Sequence, residues 1–128
     1  MNKKIIPFLF YVLILVGGLA IGFLIPRLYI WFQPGYTEGN YSEYFRNTNA
    51  KVVLFGTKWC GYCAKTRDYF RKNNIAFQDV DIESSATAAM QFAKLGEGNS
   101  IPKVLIGNRQ IIGFKPKEFD SAIKISNK

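Results

Sequence analysis

Apolar residues are unevenly spread along the chain, and the first block is the longest. Ile5 through Ile25 runs 21 residues without a charge. As a helix that stretch is about 31 Å long, matching the ~30 Å of bilayer hydrocarbon. Pro7 falls in its first turn, where a missing N–H costs nothing. The pattern predicts one membrane-spanning helix within residues 1–27, whose Gly17, Gly18 and Gly22 form a smooth face against which a second helix, such as that of a membrane redox partner, could pack. Residues 28–50 carry Tyr29, Trp31, Phe32, Tyr36, Tyr41, Tyr44 and Phe45 among Pro34, Gly35 and Gly39. Rings with polar edges favour the headgroup zone, so Tyr29 to Phe32 reads as an interfacial collar and the remainder as a short tether.

From Lys51 onward strand and helix patterns alternate. Val52-Val53-Leu54-Phe55 is a continuous β-prone run, as for a strand buried on both faces. Cys63, Thr66 and Phe70 recur at helical spacing while Lys65, Arg71 and Lys72 fall elsewhere, predicting a helix over Gly61 to Asn73. Ile75 to Ile82 returns to strand character. Ser84 or Ser85 can cap a second helix with its apolar stripe at Ala86, Ala89, Met90 and Ala93, ended by Gly96. Ile101 to Ile106 and Gln110 to Ile112 form a hairpin about Gly107-Asn108, and Phe119, Ala122 and Ile123 give the inner face of a closing helix. The order β-α-β-α-β-β-α predicts an α/β domain over 51–128. Its four-stranded mixed sheet has the first two strands parallel and the last two antiparallel.

Composition narrows the chemistry. Seventeen Lys and Arg against nine Asp and Glu give a net charge of +8. The basic residues are scattered rather than striped, so nucleic acid is not an expected partner. Histidine is absent, which removes Ser-His and Cys-His catalysis and His-containing zinc sites. Lys3 and Lys4 precede the apolar span while Arg27 follows it. That bias puts the N-terminus in the cytoplasm and the C-terminal domain on the outer side of the cytoplasmic (inner) membrane, in a periplasmic or other extracytoplasmic space. A cleaved signal peptide ending at Gly18-Leu19-Ala20 is the competing reading, and the apolar run past Ala20 favours retention.

The two cysteines, Cys60 and Cys63, stand in a C-x-x-C immediately after a buried strand and at a helix start. There, unpaired backbone N–H groups and the helix dipole favour a thiolate on Cys60. The spacing brings Cys63 one turn behind, near enough to attack a mixed disulfide formed by Cys60. Lys58 and Lys65 would add positive charge. A purely structural disulfide would constrain so short a loop little. A Cu(I) site on the pair, or an iron-sulfur cluster shared between chains, is the alternative use of the thiols.

Residues 51 to about 124 resemble the glutaredoxin family of the thioredoxin fold. The likeness rests on the strand Lys51 to Gly56, Cys60-x-x-Cys63 with Tyr62 before the second cysteine, Val80-Asp81-Ile82-Glu83, and Ile101-Pro102. Trp59-Cys60-Gly61-Tyr62-Cys63 is similar to the mycoredoxin branch of that family, and Gly113-Phe114-Lys115-Pro116 resembles a loop of redoxins serving ribonucleotide reductase. The resemblance implies that Cys60 is the nucleophile and Cys63 the resolving thiol. It also implies a cis Ile101-Pro102 peptide and substrate contacts from Lys58, Trp59, Tyr62, Ile101, Pro102, Gly113 and Phe114. Where glutathione-using members carry Gly-Gly and an acidic residue, this chain has Ile112-Gly113-Phe114-Lys115, so strong glutathione recognition is not expected.

The expectation is therefore a membrane-anchored thiol-disulfide oxidoreductase acting on disulfide-bearing proteins or small disulfides. No bound cofactor or metal is needed beyond the redox-active Cys60–Cys63 pair. Glutathione as external reductant is left open.

Overall fold

The computed structural model describes Lys3 and residues 5–128. The Lys4 half of the basic start lies outside the described residues. The chain divides into two compact units, residues 1–34 and 35–128.

In the first unit a single helix, α1, spans Ile5–Phe32. It is longer than the uncharged run because it continues through Pro26 and takes in Tyr29 and Trp31. Its segment Ile5–Trp31 is long and apolar enough to cross a membrane, and none of its most apolar stretch is buried in the protein. A helix apolar on every side needs lipid or another helix around it.

The second unit is a five-stranded mixed sheet flanked by three helices. In chain order it comprises β1 (Tyr36–Glu38), a 3-10 turn (Ser42–Phe45), β2 (Val52–Gly56), α2 (Gly61–Lys72) and β3 (Phe77–Asp81). There follow α3 (Ala86–Lys94), β4 (Lys103–Ile106), β5 (Arg109–Ile112) and α4 (Pro116–Ser126). Across the sheet the strands run β1-β5-β4-β2-β3. Strands β2 and β3 are parallel, with Val52 opposite Phe77. Strand β4 lies antiparallel to β2, and β5 lies antiparallel to β4. The four expected strands and their directions are all present.

Two expectations are corrected. Part of the segment expected to be a tether folds onto the domain: β1 adds a fifth strand antiparallel to β5, with Tyr36 opposite Ile111. Arg109 holds it there, stacked 3.9 Å from the centre of the Tyr36 ring and 3.3 Å from Glu38. Tyr41, Tyr44 and Phe45 pack on the sheet instead of running along a tether, and the Tyr44 ring meets Phe55 edge-on at 5.8 Å. These rings find apolar partners within the protein, which removes more surface from water than a tether could.

The second correction concerns α3. Ser85 is its cap, accepting a bond from the Ala88 N–H at 3.1 Å. The buried stripe, however, is Ala88, Phe92 and then Leu95, while Ala86, Ala89, Met90 and Ala93 are exposed. Phe92 and Leu95 carry more apolar carbon than three alanine methyls and a methionine side chain, so the helix turns its heavier side inward.

The two faces of the sheet carry separate cores. Val52, Leu54, Val104, Ile106 and Ile111 pack against Phe70 of α2 and Phe119 and Ala122 of α4. Val53, Phe55 and Leu105 pack against Phe92 and Leu95. Alternating side chains from β2 thus feed both layers, and its C-terminal end leads directly into the cysteine turn.

Candidate redox site

Strand β2 ends at Gly56, and the turn Thr57-Lys58-Trp59 delivers Cys60 to the N-cap of α2. Its backbone is extended, with φ −76° and ψ 114°. Cys60 and Cys63 are joined as a disulfide with their Cα atoms 5.2 Å apart. The Cys63 N–H donates to Cys60 Sγ at 3.1 Å, so the sulfur takes the place that a serine or aspartate oxygen holds in an ordinary cap. An N–H aimed at sulfur, at the positive end of a helix dipole, favours a thiolate once the disulfide opens. Cys60 retains 8 % exposure whereas Cys63 has none. The two sulfurs are chemically unequal.

Cys63 is sealed by the strand below it. A Cβ placed on Gly56 would lie 2.7 Å from Cys63 Sγ, so only glycine lets the sulfur sit this close to β2. A glycine closing a β-prone run just ahead of the cysteine pair is the sequence signal for such an approach.

The two expected cations each have a partner of their own. Lys58 Nζ is 3.9 Å from Asp81 and Lys65 Nζ lies 5.3 Å over the Tyr62 ring. A further cation near the site is Arg67, one turn beyond Cys63, whose Nη2 lies 3.7 Å from the point above Gly56 that is 2.7 Å from Cys63 Sγ. Its Nε and Nη2 donate to the two oxygens of Asp79 at 2.6 and 3.1 Å, and its Nη1 donates to the Thr57 carbonyl at 3.2 Å. Sequence reading passed over it, although a residue four positions after Cys63 shares its helix face.

Trp59 and Tyr62 flank the dithiol and are largely exposed, at 73 % and 62 %. The Trp59 indole N–H donates to both oxygens of Glu83, at 3.1 and 3.2 Å. Beside it runs an apolar groove of about 380 Å³ whose lining includes Thr57, Trp59, Glu83, Ala89, Phe92 and Ile101. The Thr57 hydroxyl is buried without a hydrogen-bond partner among the described residues. The groove therefore brings together Trp59 and Ile101, two of the expected contact residues.

The Ile101–Pro102 peptide is cis, as the family likeness implied. The Pro102 carbonyl accepts the Gly113 N–H at 2.8 Å, which ties the Gly113 loop to the proline. Phe114 turns the other way: its ring packs 6.0 Å from Tyr69 and 6.3 Å from Phe119 at the core edge. The loop leading to Ile101 is held from inside by Lys103, a fully buried lysine. Its ammonium donates to the Gly96 carbonyl and, at 2.8 Å, to that of Gly98. It also lies 4.1 Å from the centre of the Phe92 ring. Burial lowers its pKa below that of ordinary lysine, with the charge of Glu97 acting in the opposite direction.

Comparison with known proteins follows the same residues. The family model described as Glutaredoxin matches residues 52–111. An uncharacterized glutaredoxin-like 8.6 kDa protein in the rubredoxin operon of Clostridium pasteurianum is 27 % identical over 73 residues, covering 57 % of this chain and 97 % of that protein. A Mycobacterium tuberculosis protein provisionally named a glutaredoxin is 36 % identical over 56 residues, covering 43 % of this chain and 67 % of the relative. The crystal structure of a glutaredoxin from Archaeoglobus fulgidus superposes with a TM-score of 0.54 at 21 % identity, covering 67 % of this chain and 98 % of that one. The last likeness speaks for fold alone. The mycobacterial relative carries it from fold to sequence, and the chain belongs to the glutaredoxin family as a glutaredoxin-like redox protein built on the Cys60–Cys63 pair.

Proposed function

We propose that the protein is a membrane-anchored thiol-disulfide oxidoreductase whose substrates are disulfide-bearing proteins. In the reduced enzyme the Cys60 thiolate attacks one sulfur of a substrate disulfide; a Cys60–substrate bond forms and the other substrate sulfur leaves as thiolate. Cys63, deprotonated, then attacks the Cys60 sulfur, the mixed disulfide breaks, and the second substrate thiolate leaves to take up a proton. The substrate gains two electrons and the enzyme ends as the Cys60–Cys63 disulfide. Two external thiols, or one dithiol, close the cycle by reducing the Cys60–Cys63 pair and leaving as a disulfide. The chain's own residues supply the N–H at the Cys60 sulfur, the shielded position of Cys63, and an edge beside Ile101 where extended substrate backbone can pair. With Ile112 and Lys115 in the loop and Glu83 as the charged group of the groove, exchange with glutathione disulfide is expected to be slow beside that with protein disulfides. Residues 5–31 supply the anchor.

The observation that carries this reading is the inequality of the two sulfurs, one capping a helix and retaining some exposure, the other sealed against Gly56 with none. Cys60→Ser should abolish exchange with an unfolded, disulfide-bonded protein substrate. Cys63→Ser should keep the first attack and accumulate mixed disulfides. Faster alkylation of Cys63 than of Cys60 in the reduced protein, or better trapping by Cys60→Ser, would reverse the roles.

A further inference from the structure

Arg67 has no part in the reaction as written, yet its surroundings are built with care. Its side chain is only 12 % exposed, and three of its nitrogens have fixed partners on two other segments: Asp79 of β3 and the Thr57 carbonyl in the cysteine turn. A cation this buried is held only where its partners offset the lost hydration. The same point above Gly56 that lies 2.7 Å from Cys63 Sγ lies 3.7 Å from Arg67 Nη2. Sulfur and guanidinium therefore flank one glycine, no farther apart than those two distances together. Two lysines of the same region have other partners, Lys65 over Tyr62 and Lys58 toward Asp81.

We propose, building on the dithiol reading above, that Arg67 is a positioning residue for the resolving step: clamped by Asp79, it pins the turn that carries Cys60 and favours the thiolate of Cys63. The step it serves is the attack of Cys63 on the Cys60 sulfur of a mixed disulfide. A buried thiol resists ionisation, and the cost falls when a guanidinium faces it. Asp79 acts in the opposite sense. It supplies the counter-charge that keeps Arg67 in place, and its oxygen on Nη2 moderates the field at the sulfur. The charged groups on the elements packed about Cys63 are Arg67 from its own helix and, from β3, Asp79 and Asp81, the latter opposite Gly56 in the sheet and 3.9 Å from Lys58, with Cys60 as the reacting partner.

The two steps separate in stopped flow with the reduced full chain in detergent micelles and an aromatic disulfide, 5,5′-dithiobis(2-nitrobenzoate), as substrate. Attack by Cys60 releases one equivalent of coloured thiolate and resolution by Cys63 releases the second. In Arg67→Gln the second phase should slow at least fivefold relative to the first, and the midpoint of its pH profile should rise by about one unit. In Asp79→Asn, whose remaining amide oxygen still accepts a bond from Arg67 and so keeps it in place, the midpoint should fall, because the guanidinium then acts without its counter-charge. Loss of packing alone does not produce shifts of opposite sign. Midpoints that stay fixed, or that move the same way in both variants, overturn the proposal while leaving the dithiol reading intact. If Arg67→Gln does not fold, a fixed or rising midpoint in Asp79→Asn overturns it. Absence of the first phase in the wild-type protein removes both readings together.

Discussion

Gly56 shows how one missing side chain can set the chemistry of a site. Its Cα sits under the Cys63 sulfur, and the distances from a Cβ would be 2.7 Å to Sγ and 3.1 Å to the Cys63 Cβ. Neither can retreat easily, since Cys63 is fully buried. Gly56→Ala must push β2 and α2 apart, an overpacking cost of about 1–3 kcal/mol. The expected outcome is a lower unfolding midpoint in urea together with a slower second step of disulfide exchange. An unchanged midpoint and rate would show that the sulfur can shift without cost. Sequence reading identified Cys60 and Cys63 and the inequality between them, because strand, C-x-x-C and helix are local and lie in one stretch of chain. Gly56, Arg67, Asp79 and Glu83 were not read as parts of the site. Their roles depend on which strand passes under which sulfur, and on which carboxylate a buried guanidinium meets. Both are settled by packing between segments far apart in sequence.

At the level of elements, the strands and helices with strong periodicity were legible and the weakly patterned ones were not. The stripe Cys63, Thr66, Phe70 is buried as its spacing required. In α3, by contrast, alanines occupy so many positions that spacing alone defines no face, and the bulk of Phe92 and Leu95 decides. Strand β1 has three residues and follows an aromatic run that also suits a membrane interface, so only its pairing with β5 reveals it. The contact between α2 and α4 depends on a group that titrates. The Tyr69 hydroxyl donates to Asp120 at 2.5 Å, and its ring packs on Phe70, Phe114 and Phe119. Burial first, then the bond to Asp120 and that residue's charge, raise the phenol to about 12 from 10.0. The neutral phenol is thus favoured in the folded state. Its contribution is fully present below pH 10 and is lost as pH rises toward 12. Because the ring is partly exposed, we expect wild type to exceed Tyr69→Phe by about 1–2 kcal/mol at pH 8. Urea unfolding at pH 8, 10 and 11.5 should show that advantage shrinking over the upper interval. A constant difference would mean that the Asp120 bond does not govern the ionisation.

For the whole molecule the decisive property is the contrast between its two units. Residues 35–128 form a domain with its own cores on both faces of a sheet, whereas Ile5–Trp31 buries none of its most apolar stretch. That helix is about 40 Å long, so some 30 Å can cross the hydrocarbon while Tyr29 and Trp31 reach the headgroup zone. Lys3 and Lys4 before the span and Arg27 near its far end favour a cytoplasmic N-terminus. The dithiol would then face an oxidising compartment, where Cys60, the more accessible of the two sulfurs, can meet substrates still forming their disulfides. A membrane-impermeant maleimide tests this in bacterial cells expressing the full chain, after mild reduction and permeabilisation of the outer membrane only. We expect Cys60 to be labelled in intact spheroplasts, with Cys60→Ser as the control, and the labelled protein to sediment with membranes at full length. Protection until the inner membrane is broken would reverse the orientation and place the redox chemistry in the cytoplasm. A labelled but shortened, freely soluble product would instead identify the helix as a cleaved signal. The inequality of Cys60 and Cys63 would survive either result, because it is built entirely from β2, α2 and the turn between them.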